Sequence, residues 1–279
     1  MMTKLDKKME DIVIRECVSL GELDSCIRLQ REVFGLPDLE VSPQRHLIVS
    51  REAGGWTLGA FVSDGEQEAE RLVGFVHHLA AVSGSEIFGY SHMMAVAVDY
   101  QNKGVGARLK WSQRERALEQ GRNRVKWTWD PMQARNAYFN LNRLGVTVSS
   151  YAENFYGSAY LTIPTLKAGD QQGIASDRLF ADWRLRSRRV SALAQHGSKA
   201  DELAVSATPA VEIVIPAEWT RLVKEDPPMA KIEQLRVRSE FQKAFAGGLV
   251  AAGFERSSTE PRYLLYESKD LELMQSPEL

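Results

Sequence analysis

Six residues, Gln101-Asn102-Lys103-Gly104-Val105-Gly106, have the types and spacing that most directly suggest chemistry in this chain. They follow an apolar run over residues 93–98. They precede a segment that ends at Gly121 and carries Ala107, Trp111 and Leu118 on one stripe, interrupted by Arg114. The order reads as a buried strand, a tight turn and a helix with a glycine C-cap. A helix N-terminus has N–H groups without intrahelical partners and a partial positive charge, so phosphates bind there when the loop lets them approach. Gly104 and Gly106 lack the side chains that would block this approach. Lys103 and Arg108 add charge, and Lys110, Arg114 and Arg116 extend it along the helix. The spacing is not G-x-G-x-x-G, and no Gly-Lys-Ser/Thr follows to make a P-loop. The plain alternative is a tight strand-to-helix turn.

Composition limits the ligand. The chain has 279 residues, 44% hydrophobic and 26% charged, with a net charge of −2, which suits two modest domains of an ordinary globular protein. Residues 101–126 hold eight Lys/Arg against two Glu, a net +6 that leaves −8 elsewhere. A local basic patch on a mildly acidic protein suits a small anion better than a nucleic acid. The two cysteines, Cys17 and Cys26, form no CxxC pair and no metal quartet, so reduced thiols and no metal are expected. The charged first residues do not resemble a signal peptide, and the apolar runs are too short to span a bilayer. A cytoplasmic protein without membrane contact is the expectation.

The elements that must position the turn follow from periodicity. Strands are expected at 11–17, 56–62, 72–79, 90–98, 124–129 and 146–150, and helices at 20–34, 43–49, from the turn to Gly121, and at 133–144. The polar stretch 167–172 is a candidate junction. Beyond it, strands are expected at 180–185, 211–215, 249–255 and 262–267, a polar loop at 194–208, a helix at 228–246 ended by Gly247-Gly248, and a frayed tail past Lys269. Antiparallel strands followed by strand–helix–strand crossovers predict a mixed, mostly antiparallel α/β (α+β) sheet flanked by helices, with a C-terminal α/β extension.

Gln101-x-x-Gly104-x-Gly106 after an apolar strand resembles the Q/R-x-x-G-x-G/A motif of the GNAT superfamily of acyl-CoA-dependent N-acyltransferases. The resemblance covers residues 10–166, leaving 173–279 as a separate C-terminal region. Trp127-Thr128-Trp129-Asp130-Pro131, Asn136-Ala137, Leu144-Gly145 and Tyr156-Gly157 are similar to a bacterial GNAT-like subgroup with an extra C-terminal region. The resemblance implies an enzyme that moves an acetyl or similar acyl group from acyl-CoA to a primary amine of a small molecule, such as an amino acid. It implies that the N–H groups of Gln101, Asn102, Lys103, Gly104, Val105, Gly106 and Ala107 hold the pyrophosphate of coenzyme A. Val96, Ala97 and Val98 would pair with pantetheine as an added strand does, and Asn136 would begin the helix beside the thiol. The other reading is a non-catalytic acyl-CoA-binding or regulatory protein of the same fold.

The reaction needs a neutral amine, hence a base, and an acid for the leaving thiolate. The family's usual tyrosine, four residues before Gly145, is Leu141 here, and the central strand has no Glu or Asp. Tyr138, Tyr151 and Tyr156 are the alternatives for the acid. His92 and Asp130 are the candidate bases; each has an ordinary alternative, a core histidine and a turn aspartate. By strand alternation His92 shares a face with Met94, Val96 and Val98, and His77 and His78 point to opposite faces. In the C-terminal region Arg184, Arg186 and Arg188 alternate as on a strand. They read either as a solvated edge or as a carboxylate or phosphate site. That region would complete an acceptor pocket or join two copies as a homodimer.

Overall fold

The computed structural model describes residues 12–36, 38–63, 70–157, 174–196, 205 and 207–277. They form two compact units, the first ending at Arg122 and the second beginning at Asn123. The expected junction at 167–172 lies outside the described residues. Both units are mixed α/β with antiparallel strands, as expected.

In the first unit β1 (Val13–Glu16), β2 (Trp56–Ser63), β3 (Glu70–Ser83) and β4 (Glu86–Val96) make an antiparallel sheet in sequence order. Helices α1 (Leu20–Phe34) and α2 (Gln44–Glu52) pack on one face and α3 (Val105–Glu119) on the other. The side chains that alternate across β3 show this: His77 reaches Ser50 of α2, and His78 reaches Gln113 of α3. Helix α1 starts with a capping box, Ser19 with Glu22, and ends at Gly35 with φ +59°, a left-handed cap that favours glycine. Pro43 is the N-cap of α2, where its missing N–H costs nothing. The core between layers is built from residues such as Leu23, Leu47, Phe75, Val76, Val105 and Leu109, all buried.

Two expectations change here. The strand of the fourth hairpin arm stops at Val96; Val98 begins a 3-10 turn, Val98–Tyr100. The buried face of α3 is Val105, Leu109, Lys110, Gln113 and Ala117, whereas Ala107, Trp111 and Leu118 are half-buried. A short amphipathic pattern with several cations did not reveal its own inner face, because a lysine and a glutamine occupy it.

In the second unit β7 (Arg178–Arg184) pairs antiparallel with β5 (Arg124–Trp129) and with β6 (Tyr151–Ala152). A second sheet has the order β8 (Val211–Val214), β10 (Arg262–Glu267), β9 (Leu249–Glu255). The helix expected at 133–144 is α4 (Ala134–Tyr138) followed by a π turn, Phe139–Arg143, before Gly145 at φ +73°. Residues 146–150 make only isolated bridges, through Thr147 and Val148. The three arginines do not share a strand. Arg184 closes β7, and Arg188 begins α5 (Arg188–His196), which takes the start of the expected loop at 194–208. Helix α6 (Trp219–Glu225) precedes α7 (Pro227–Ala246), capped by Asp226 at its start. The tail past Lys269 is helical: α8 (Ser268–Gln275) buries Leu271. Among the described residues no helix is long and apolar enough to cross a membrane.

Candidate functional site

The turn between β4 and α3 is built as a left-handed step. Asn102 has φ +59° and Gly104 φ +84°, and Gly104 is the N-cap of α3. Asparagine and glycine are the residues that tolerate this region. A Cβ on Gly104 would meet nothing within 4 Å, and one on Gly106 would touch only the Met94 Cε at 3.5 Å and Val96 Cγ2 at 3.9 Å. Gly104 therefore serves backbone conformation, and neither glycine relieves a clash within the protein. The first turn of α3 has no side-chain cap and no acidic residue, so among the described residues no side chain caps the leading N–H groups of Val105, Gly106 and Ala107.

The cations placed along α3 by the sequence disperse. Arg108 donates to the Ile12 carbonyl at 2.6 Å, and Arg116 pairs with Glu16 at 2.9 Å, tying α3 to β1. Lys110 turns inward and is buried, donating to Ser91 Oγ (3.1 Å) and Gln113 Oε1 (2.7 Å); burial pushes its pKa well below the ordinary lysine value. Lys103 stays at the turn, bonded to the Asp99 carbonyl at 2.6 Å. Gln101 Nε2 donates to the Val96 carbonyl at 3.0 Å. An anion held here would rest on backbone N–H groups more than on a row of arginines.

On the other face of the sheet three imidazoles converge. The ring centroids of His46 (α2), His77 (β3) and His92 (β4) lie 5.3, 5.4 and 6.0 Å apart in pairs. His92 reaches this face through a β-bulge. His78 pairs with Ser91 and His77 with Met93, which leaves His92 as the extra residue. Ser91 faces Lys110 of α3, His92 faces α2, and Met94 again lies beside Gly106 of α3. The expected common face of His92 with Met94 and Val96 is thus corrected: the bulge breaks the alternation between them.

The hydrogen bonds assign protons. Ser50 Oγ donates to the Leu47 carbonyl, so it must accept from His77 Nε2 (3.1 Å); His77 Nδ1 accepts from Thr57 Oγ1 at 2.8 Å. Both ring nitrogens of His77 are spent on hydroxyls. Its pKa is lowered to about 3, by burial first and then by the charges of His92 and His46. His92 keeps an exposed edge, and its Nε2 lies 3.0 Å from Ser42 Oγ; burial and then His46 lower its pKa to about 4. It is therefore neutral at pH 7, the state a base requires. His46 Nε2 is buried with no hydrogen-bond partner among the described residues.

In the second unit Asp130 ends β5, where Trp129 Nε1 donates to Tyr263 Oη (3.2 Å) and Tyr263 donates to the Pro131 carbonyl (2.8 Å). Asp130 Oδ1 accepts from the Met132 N–H at 2.9 Å, a turn-forming bond, and burial pushes its carboxyl pKa upward. Tyr138, half-buried on α4, lies beneath the Arg256 guanidinium at 5.0 Å. Asn136 is exposed and is the third residue of α4, not its first. Tyr151 is engaged, donating to buried Asp177 at 2.6 Å, and that burial drives its pKa up. Leu141 is fully buried. The sequence reading missed Ser42, Gln30 and His46; no local pattern marks them.

No protein-family model and no curated protein matches the chain. Solved structures similar to it include an acetyltransferase of the GNAT family from Streptococcus pneumoniae, at 16% identity and TM-score 0.45, covering 61% of this chain and 98% of that one. The ribosomal-protein-S18-alanine N-acetyltransferase from Escherichia coli is 13% identical at TM-score 0.46, with 62% and 94% covered. The NatC complex bound to Gag peptide and CoA is 13% identical at TM-score 0.48, with 62% and 98% covered. Likenesses of this size assign neither a family nor an activity to this chain.

Proposed function

We propose that this protein binds an acyl-coenzyme A at the turn between β4 and α3 and transfers the acyl group to a primary amine of a small molecule. The observation that carries the reading is the uncapped first turn of α3 behind the left-handed Gly104, at the end of a core strand. Backbone N–H groups from Asn102 to Ala107 would hold the pyrophosphate, the Gln101 N–H being already bonded to the Val98 carbonyl at 3.2 Å, and Val96, Ala97 and Val98 would line the pantetheine. The bound thioester supplies an activated acyl group. Neutral His92 would take the proton lost by the amine as the amide forms. Asp130 is the second candidate base; its burial raises proton affinity, the direction a base needs. Tyr138 is the candidate acid for the thiolate and Asn136 the candidate residue for the thiol end that the resemblance offers.

One observation favours a second reading. Leu141, where the family keeps its acid, is sealed in the core, which fits an acyl-CoA-binding module without turnover. Two measurements decide. A thermal shift with millimolar coenzyme A tests binding. Release of free thiol from acetyl- or succinyl-CoA with a panel of amines and amino acids tests transfer. Binding with turnover supports the enzyme, binding without turnover supports the module, and no binding overturns both.

A further inference from the structure

A cavity of about 630 Å³ lies wholly within the second unit, beside β7, β9 and α8. Its charged groups centre on Asp182. Asp182 is clamped by Arg124, Nε to Oδ1 at 2.6 Å and Nη2 to Oδ2 at 3.0 Å. Arg184 Nε adds a third bond to Oδ2 at 3.3 Å. One carboxylate thus faces two guanidiniums. Arg184 has no other bonded partner among the described residues, so its two Nη groups are available to the cavity that it lines.

A hydroxyl adds to this. Thr147 is only 8% exposed, and its backbone is used in both directions by Asp182, N to O at 3.1 Å and O to N at 2.9 Å. Its side-chain hydroxyl has no partner among the described residues and lines the same cavity. A hydroxyl that faces a cavity without a protein partner is open to a ligand's hydrogen bond. Ser149 supplies a second hydroxyl, Glu272 of α8 a carboxylate with no ion pair among the described residues, and Phe245 and Val250 an apolar wall.

We propose that this cleft binds a small zwitterion, an α-amino acid. Its carboxylate lies on Arg184 and the hydroxyls of Thr147 and Ser149, its ammonium is held by Glu272, and its side chain lies along Phe245 and Val250. A guanidinium held in place by a clamped carboxylate is a pre-organised carboxylate receptor. Glu272 in the same cleft disfavours dianions and selects a ligand that also carries a positive charge. The site stands independently of the acyl-transfer reading.

The test is calorimetric titration and thermal shift of the full chain with the standard α-amino acids, their N-acetyl derivatives and the matching decarboxylated amines. Free amino acids of at least one side-chain class should bind saturably, and neither blocked series should. Arg184→Gln should weaken binding by at least about tenfold, the cost of one charge-assisted bond. Glu272→Gln should remove the preference over N-acetyl derivatives. Both positions are exposed enough that the variants should fold, which their unliganded Tm checks; should Arg184→Gln not fold, Glu272→Gln carries the test alone. Absence of any amino-acid binding, equal binding by the decarboxylated amines, or unchanged binding in Arg184→Gln would overturn the proposal. Binding of coenzyme A plays no part in these outcomes.

Discussion

Gln30 holds Ser42 by both edges of its backbone. Gln30 Oε1 accepts from the Ser42 N–H at 2.9 Å, and Gln30 Nε2 donates to the Ser42 carbonyl at 3.3 Å, with Gln30 itself fully buried. The serine so fixed places its hydroxyl 3.0 Å from His92 Nε2. A glutamine in α1 thereby sets the orientation of a ring on β4. With Nε2 engaged by Ser42, Nδ1 is the ring nitrogen that the serine leaves untouched.

Removing that clamp should cost stability. In Gln30→Leu the N–H and carbonyl of Ser42 lose their partners, and urea unfolding should show a loss of about 1–3 kcal/mol. Ser42→Ala should stay within about 0.5 kcal/mol of the parent, yet change the ring resonances of His92 in NMR and leave those of His77 in place. Unmoved His92 resonances would separate Ser42 from the candidate base.

The role of His92 has its own readout. If it accepts the amine proton, His92→Ala should lower kcat/KM by at least about tenfold. The limb of the pH–rate profile on which the parent loses activity toward low pH should disappear with it. A variant that retains the parent's profile would remove His92 as the base.

Acid should destabilise the first unit through buried histidines. His77 and His78 are both lowered to about 3 by burial, His77 next by His92 and His46, and His78 next by Arg122 and Lys110. Their folded pKa values lie below the unfolded value, about 6.5, so between about pH 3 and 6.5 the unfolded chain binds more protons. Stability is then fully present above that window and falls as the pH drops through it, at about 1.4 kcal/mol per pH unit for each of the two. Urea midpoints at stepped pH values should show this slope, and His78→Phe should reduce it by one histidine's share.

Glycine substitutions should separate backbone needs from packing needs. Gly104→Ala forces a Cβ onto φ +84° and should cost about 1–2 kcal/mol. Gly106→Ala has room and should stay within about 0.5 kcal/mol. Gly89→Ala would drive its Cβ into the His78 ring, which is itself stacked on Trp56 at 4.2 Å. It should cost about 1–3 kcal/mol, and His78→Ala in the same chain should recover part of that. Chemical unfolding of the four variants checks the ordering.

The sequence by itself determined what depends on neighbours in the chain. Helix α1 was legible from the spacing of Leu23 and Ile27, and α7 from its apolar spacing and the glycines that end it. The strand–turn–helix around Gly104 was legible because positive φ and a helix N-cap are local demands with local residue signatures. Only the tertiary structure decided where long side chains end. Arg108 bonds to Ile12 and Arg116 to Glu16, 96 and 100 residues away, and the aliphatic stem of Lys110 carries its amine into the core. A single bulge at His92 moved it to the opposite face from Met94, since side chains alternate with a period of two and one extra residue breaks the count. The meeting of Gln30, Ser42 and His92, like that of Arg184 and Thr147 around Asp182, joins elements that lie far apart in sequence. Such contacts are set by how layers pack, and no window of neighbouring residues contains them.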